Sequence, residues 1–224
     1  MAALALLAGA VVLAGCVPGR AESPSAAPSV PAAPAGWQEH PIGDSPVQLA
    51  LPDGWLAFDR ADLADPDVRR QLEADYAGAE ALFAQLDAQG NRAPLVHLAV
   101  DPRERGTGQF PSVVTVVAVE PALPPLLLGV GADFATDAFE STFELETDVT
   151  RSDIDTPLGD GIRLQFSHRL VGPEGGPGFA VEHDGAIVTT GEETFLVSRN
   201  VDPDTAPADT PTLDEILATL RAGS

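Results

Sequence analysis

The side chains best suited to acid–base or metal chemistry are four histidines and a large set of acids. The histidines are His40, His97, His168 and His183. No two stand four residues apart and no His-Glu-x-x-His occurs, so a zinc site would have to be assembled from separate elements. Glu182-His183-Asp184 is the most ligand-like cluster. Adjacent strand residues point to opposite faces, so the three converge only if the chain turns there. The segment reads as a surface hairpin. His97 lies inside an apolar run, 95–100, and reads as a structural residue with its hydrogen bonds satisfied. Asp202, Asp204, Asp209 and Asp214 lack the Asp-x-Asp-x-Asp-Gly order and the closing Glu of a calcium loop. They read as a solvated linker with helix-entry acids. No Gly-x-Ser-x-Gly elbow is present, Gly129-Val130-Gly131 is too short for a dinucleotide loop, and a chain without Lys has no Gly-x-x-x-x-Gly-Lys loop. Carboxylate pairs of the glycosidase kind stay open among 34 acids. The sequence thus assigns no catalytic, cofactor-binding or metal-ligating residue.

The one cysteine, Cys16, has a different use. It closes Leu13-Ala14-Gly15-Cys16, after an uncharged apolar run over residues 1–14. That run has the length of a secretory h-region and falls short of the about 20 residues of a membrane span. The tetrapeptide resembles the lipobox of bacterial lipoproteins. The resemblance implies cleavage between Gly15 and Cys16, and a diacylglycerol on the Cys16 sulfur that holds the chain at the extracytoplasmic face of the cell membrane. The leader departs from the usual pattern, because the first positive charge, Arg20, lies beyond the cut. Either the true start lies upstream or the leader is atypical. Residues 17–36 are rich in Pro, Ala and Ser, have little apolar bulk, and read as a tether.

Residues 37–224 suffice for one domain with its own core. The chain is 44% hydrophobic and carries a net charge of −22. All 12 basic residues are Arg. Such a charge disfavours nucleic acid as a partner. Residues 47–51 alternate as a half-buried strand, Pro52-Asp53-Gly54 is a turn, and 55–58 returns as the second arm of a hairpin. A helix follows, capped by Asp65, started by Pro66 and stopped by Gly90, with Val68, Leu72, Tyr76, Ala79, Phe83 and Leu86 as its buried stripe. Strands follow over 95–100 and 112–120, the second apolar enough to be central. A helix over 126–144 presents Val130, Phe134, Ala138 and Phe143. Strands are expected near 145–154, 161–171, 178–189 and 194–200, with a turn at 173–177. Thr212-Leu213-Asp214-Glu215 has the capping-box pattern of a last helix running to Arg221, with Leu213, Ile216, Leu217 and Leu220 buried. This order predicts an α+β fold, an α-β-α sandwich with a mainly antiparallel sheet covered by helices.

The stretch from Val47 to Trp55, the strand Gly161-Ile162-Arg163-Leu164-Gln165-Phe166, and Thr194-Phe195-Leu196-Val197-Ser198 before a terminal helix resemble the PsbP/Mog1-like group. That group includes actinobacterial lipoproteins of the LpqN type. The resemblance spans most of residues 37–224 and implies a binding or assembly role without a shared catalytic constellation. The expectation is a lipid-anchored envelope protein with a non-catalytic domain. It would bind an envelope protein or a small hydrophobic ligand and need no cofactor. An envelope hydrolase using dispersed carboxylates or a metal, and an accessory factor in envelope assembly, are the alternatives.

Overall fold

Strand β5, Val113–Ala118, is the axis of the fold. It is a run of β-branched residues buried on both faces, as its nearly continuous apolar sequence predicts. The computed structural model describes residues 33–89, 94–172, 175 and 178–223. Gly15, Cys16 and the tether up to residue 32 lie outside the described residues. So do Gly90, expected to stop a helix, and most of the turn expected at 173–177.

The large sheet has eight strands, all antiparallel. Beside β5 run β4 (Leu95–Val100) and β3 (Leu56–Asp59) on one side. On the other side come β10 (Thr194–Val201), β9 (Phe179–Thr189), β8 (Gly159–Leu170) and the short β6 (Glu144–Leu145), with β7 (Thr150–Thr156) also paired to β8. A small second sheet joins β1 (Trp37–Pro41), β2 (Val47–Pro52) and β11 (Arg221–Ala222), with β2 in the middle.

This arrangement overturns the hairpin expected over 47–58. The turn at Pro52-Asp53-Gly54 forms, with Gly54 at φ +89° and the Trp55 amide donating to the Pro52 carbonyl at 3.2 Å. Both edges of β2 are already taken by β1 and β11, so β3 finds its partner in β4 instead. The turn is a corner between two sheets, and Trp55 is buried where they meet.

One face of the large sheet carries four helices. α1 (Arg60–Ala64) is a single capped turn that the sequence pattern did not reveal; Asp59 and Asp62 form its capping box. α2 (Pro66–Asp75) begins as expected, with the Asp65 carboxylate accepting from the Asp67 amide and Pro66 in the first turn. The expected long helix then breaks. Tyr76 is extended and Gly78 stands at φ +81°, before α3 (Ala79–Gln89) resumes. The break presses the backbone onto the core, since a Cβ on Gly78 would lie 2.9 Å from Phe110 and 3.2 Å from Phe179. The apolar stripe survives the break, and all six of its residues pack into one cluster.

α4 (Leu128–Thr142) covers β8 and β9. Its buried side is Leu128, Ala132, Thr136 and Phe139, whereas Val130 and Phe134, two of the apolar positions read from the sequence, face solvent. The opposite face of the large sheet is covered by the small sheet and α5 (Leu213–Leu217). Thr212 and Glu215 make the expected capping box, and Leu213, Ile216, Leu217 and Leu220 are buried as expected. Each such side chain contributes about 1.5–3 kcal/mol of burial. The helix ends sooner than its pattern suggests, because Arg221 pairs with β2. The fold is α+β, a mainly antiparallel sheet covered by helices, with one cover shared by the small sheet. Among the described residues, no helix is long and apolar enough to cross a membrane.

Candidate functional site

Polar residues interrupt the helix-covered face of the large sheet at positions set by strand register. Phe166, His183, Asn200 and Val113 stand side by side across β8, β9, β10 and β5. The next row on that face is Leu164, Gly185, Ser198 and Thr115. His168 lies two residues from Phe166 on β8, so alternation puts it on the same face.

Of these, Thr115, His168, His183, Ser198 and Asn200 floor a cleft at the seam between the α3 and α4 packing clusters. Leu82, Gln85 and Leu86 of α3 line one side, Phe139 of α4 and the following Phe143 line the other, and Phe110 and Leu170 close the wall. The cavity volume is about 50 Å³, and all the space out to the open mouth about 520 Å³. That volume has room for a few waters or a slender apolar chain. Among the described residues, no charged side chain lines it.

Three phenylalanines box the two histidines. The His183 ring stacks on Phe166 with centroids 4.5 Å apart, and Phe139 stands 5.3 Å away. The His168 ring lies 4.4 Å from Phe143. The Nδ1 of His183 is 2.7 Å from Oδ1 of Asn200. An amide oxygen accepts, so Nδ1 carries the proton and Nε2 keeps its lone pair. That Nε2 and the Nδ1 of His168 are buried without a hydrogen-bond partner. Burial pushes both imidazoles down to about 4; a second cause at His168 is the neighbouring His183, while the bond to Asn200 works against the shift at His183. Both rings are therefore neutral at pH 7.

Gly185 lies in the next row beyond His183, beside Ser198 and on the side away from His168. A Cβ there would lie 2.7 Å from His183 Nε2 and 3.0 Å from Ser198 Oγ. Glycine at this position lets the imidazole edge and the hydroxyl draw close to the strand. The arrangement can offer hydroxyls from Ser198 and Thr115 to a ligand and cover an apolar body with aromatic rings.

The remaining sequence candidates lie elsewhere. Glu182-His183-Asp184 is no surface hairpin: it is in the middle of β9, with His183 and Asp184 buried. The alternation argument holds, for Asp184 is on the opposite face, where Arg163 bonds it through Nε at 2.7 Å and reaches Asp214 at 2.9 Å. His97 is buried as expected but unsatisfied. Its Nε2 has no partner, its ring is 5.8 Å from His40, and burial with His40 nearby pushes it down to about 4 against the pull of Asp59. Asp202 caps the turn at Asp204, Asp209 pairs with Arg103 at 2.8 Å, and Asp214 belongs to the Arg163 network. Among the described residues, no three His, Cys, Asp or Glu side chains converge as a metal site. The cleft residues Thr115, Phe139 and Asn200 were not singled out from sequence, and Ser198 entered only as part of the strand Thr194-Phe195-Leu196-Val197-Ser198. Their signal is a polar residue at every second position on one face of apolar strands, as at Ser198 and Asn200.

No family model and no curated protein matches the chain. Among solved structures it is similar to a Pseudomonas aeruginosa protein of unknown function, PA94, at 11% identity and a TM-score of 0.32. The match covers 75% of this chain and 84% of that one, and a likeness of that depth carries no argument about function.

Proposed function

We propose that this chain is a lipid-anchored, non-catalytic binding protein. Its domain takes up a small, uncharged and mainly apolar molecule in the cleft between α3 and α4. The observation that supports this reading is a cleft walled by apolar and aromatic side chains, with the hydroxyls of Ser198 and Thr115 and two neutral histidines in its floor and no charged side chain in its lining. A ligand hydroxyl can bond the Ser198 and Thr115 hydroxyls, and its apolar body gains about 25 cal/mol for each Å² it buries against the walls. A charged headgroup would be desolvated there without a counter-ion, which selects against carboxylates and ammonium ions. Binding fits better than catalysis, because an imidazole held near 4 is a weak base at neutral pH. The anchor rests on the lipobox-like Leu13-Ala14-Gly15-Cys16, and places the domain at the outer face of the membrane.

Thermal shift and calorimetry with decanol, decanoate and decyltrimethylammonium test the cleft. Decanol should raise Tm and bind with one-to-one stoichiometry, while the two ions should not. Gly185→Ala, whose Cβ would displace the cleft-lining His183 and Ser198 side chains, should abolish the shift. Equal binding of all three probes, or undiminished binding by the variant, would overturn the proposal.

A further inference from the structure

The outer side of α4 carries a second feature, separate from the cleft. Leu126 is 96% exposed and Phe134 is 71% exposed, and Leu127 and Val130 stand close to half exposed. Leu126 and Leu127 belong to the turn Pro125–Leu127 that leads into the helix. Val130 and Phe134 stand one turn apart as a ridge on one row of α4, and Leu126 and Leu127 add apolar surface in the turn that leads into it. Asp133, Asp137 and Glu140 are exposed along one flank of that ridge, on successive turns. Asp133 is ion-paired with Arg151 of β7, and Asp137 and Glu140 extend the row. At Gly129 nothing lies within 4 Å of where a Cβ would be, so another backbone can approach closely there.

We infer that this ridge is a docking surface for an amphipathic segment of another protein that carries Arg or Lys beside its apolar face. The row of Val130 and Phe134, with Leu126 exposed in the turn before it, suits the apolar face of a helix laid against α4. The acidic flank chooses the sign of the partner. A second copy of this chain would bring a net charge of −22 against the same charge. An anionic lipid surface is repelled by the same row of carboxylates. A basic amphipathic segment satisfies both the ridge and its flank.

The test uses the full chain and a synthetic peptide of about 20 residues, long enough to form a helix, with Leu on one face and Arg on its borders. Its counterpart carries Glu in place of Arg. Fluorescence anisotropy should show binding of the Arg peptide that weakens as salt rises. Val130→Ser with Phe134→Ser should weaken it about tenfold or more, as removal of a central aromatic anchor does. Asp137→Asn with Glu140→Gln should flatten the salt dependence and leave Tm unchanged. The proposal is overturned if the serine variant, shown to be folded by circular dichroism, binds as tightly as wild type. It also fails if the Glu peptide binds equally, if the acid variant keeps the full salt dependence, or if the ridge variants dissolve a dimer of the chain itself.

Discussion

The Nδ1 of His183 lies 2.7 Å from the Oδ1 of Asn200, its direct cross-strand neighbour. That bond fixes the tautomer of a buried imidazole and leaves its Nε2 a buried acceptor beside Gly185. Asn200→Leu keeps the volume and removes the acceptor. The Nδ1 proton is then buried without a partner, at a cost of about 1–3 kcal/mol. Urea denaturation should register the loss as a lower midpoint with unchanged slope. A midpoint equal to wild type would mean that the bond does not hold the ring.

Acid should destabilise the fold before its carboxylates titrate. His97, His168 and His183 are each held at about 4, below their ordinary 6.5. The unfolded chain therefore binds more protons than the folded one between those values, and stability falls as pH falls through that window. Each histidine contributes at most about 1.4 kcal/mol per pH unit. His168→Leu retains an apolar side chain beside Phe143 and removes one proton site, so it should flatten the slope by roughly a third. A slope identical to wild type between pH 6.5 and pH 4 would contradict the assignment.

Two glycines separate backbone strain from crowding. Gly54 stands at φ +89° with nothing within 4 Å of a Cβ, so Gly54→Ala should cost only the left-handed conformation, about 1–2 kcal/mol. Gly78 has a similar φ of +81°, but its Cβ would press on Phe110 and Phe179. Gly78→Ala should cost that amount plus a further 1–3 kcal/mol or so of overpacking. Equal losses for the two variants in thermal unfolding would show that the helix break is not pinned by the core.

The elements that sequence reveals are those with local chemistry. Asp65-Pro66 and the Thr212–Glu215 box mark helix starts because their bonds span two or three residues. β5 declares itself because burial on both faces needs an unbroken apolar run. The hairpin expected at 47–58 fails for a reason that no local signal holds: β1 and β11, from opposite ends of the described chain, occupy both edges of β2. On α4 the sequence carries two apolar stripes at helical spacing. One runs through Leu128, Ala132, Ala135 and Phe139, the other through Val130, Phe134 and Ala138. Periodicity cannot choose between them, and contact with β8 and β9 does. The cleft is hidden in the same way, because His183 and Asn200 meet through register across 17 residues of chain.

The anchor is tested through the sulfur it needs. Leu13-Ala14-Gly15-Cys16 supplies one thiol, and the chain has no other. A net charge of −22 gives it no electrostatic attraction to anionic headgroups, so salt-resistant membrane association requires acyl chains. One chain binds only marginally, whereas a diacylglycerol provides two. In cells fed an alkyne-bearing fatty acid, the wild-type protein should take up the label and stay with the membrane through a high-salt wash. Cys16→Ser should lose the label and move to the soluble fraction or persist uncleaved. Retention of Cys16→Ser in the washed membrane, with leader processing unchanged, would refute lipidation at this cysteine and leave the cleft and the ridge to be explained in another compartment.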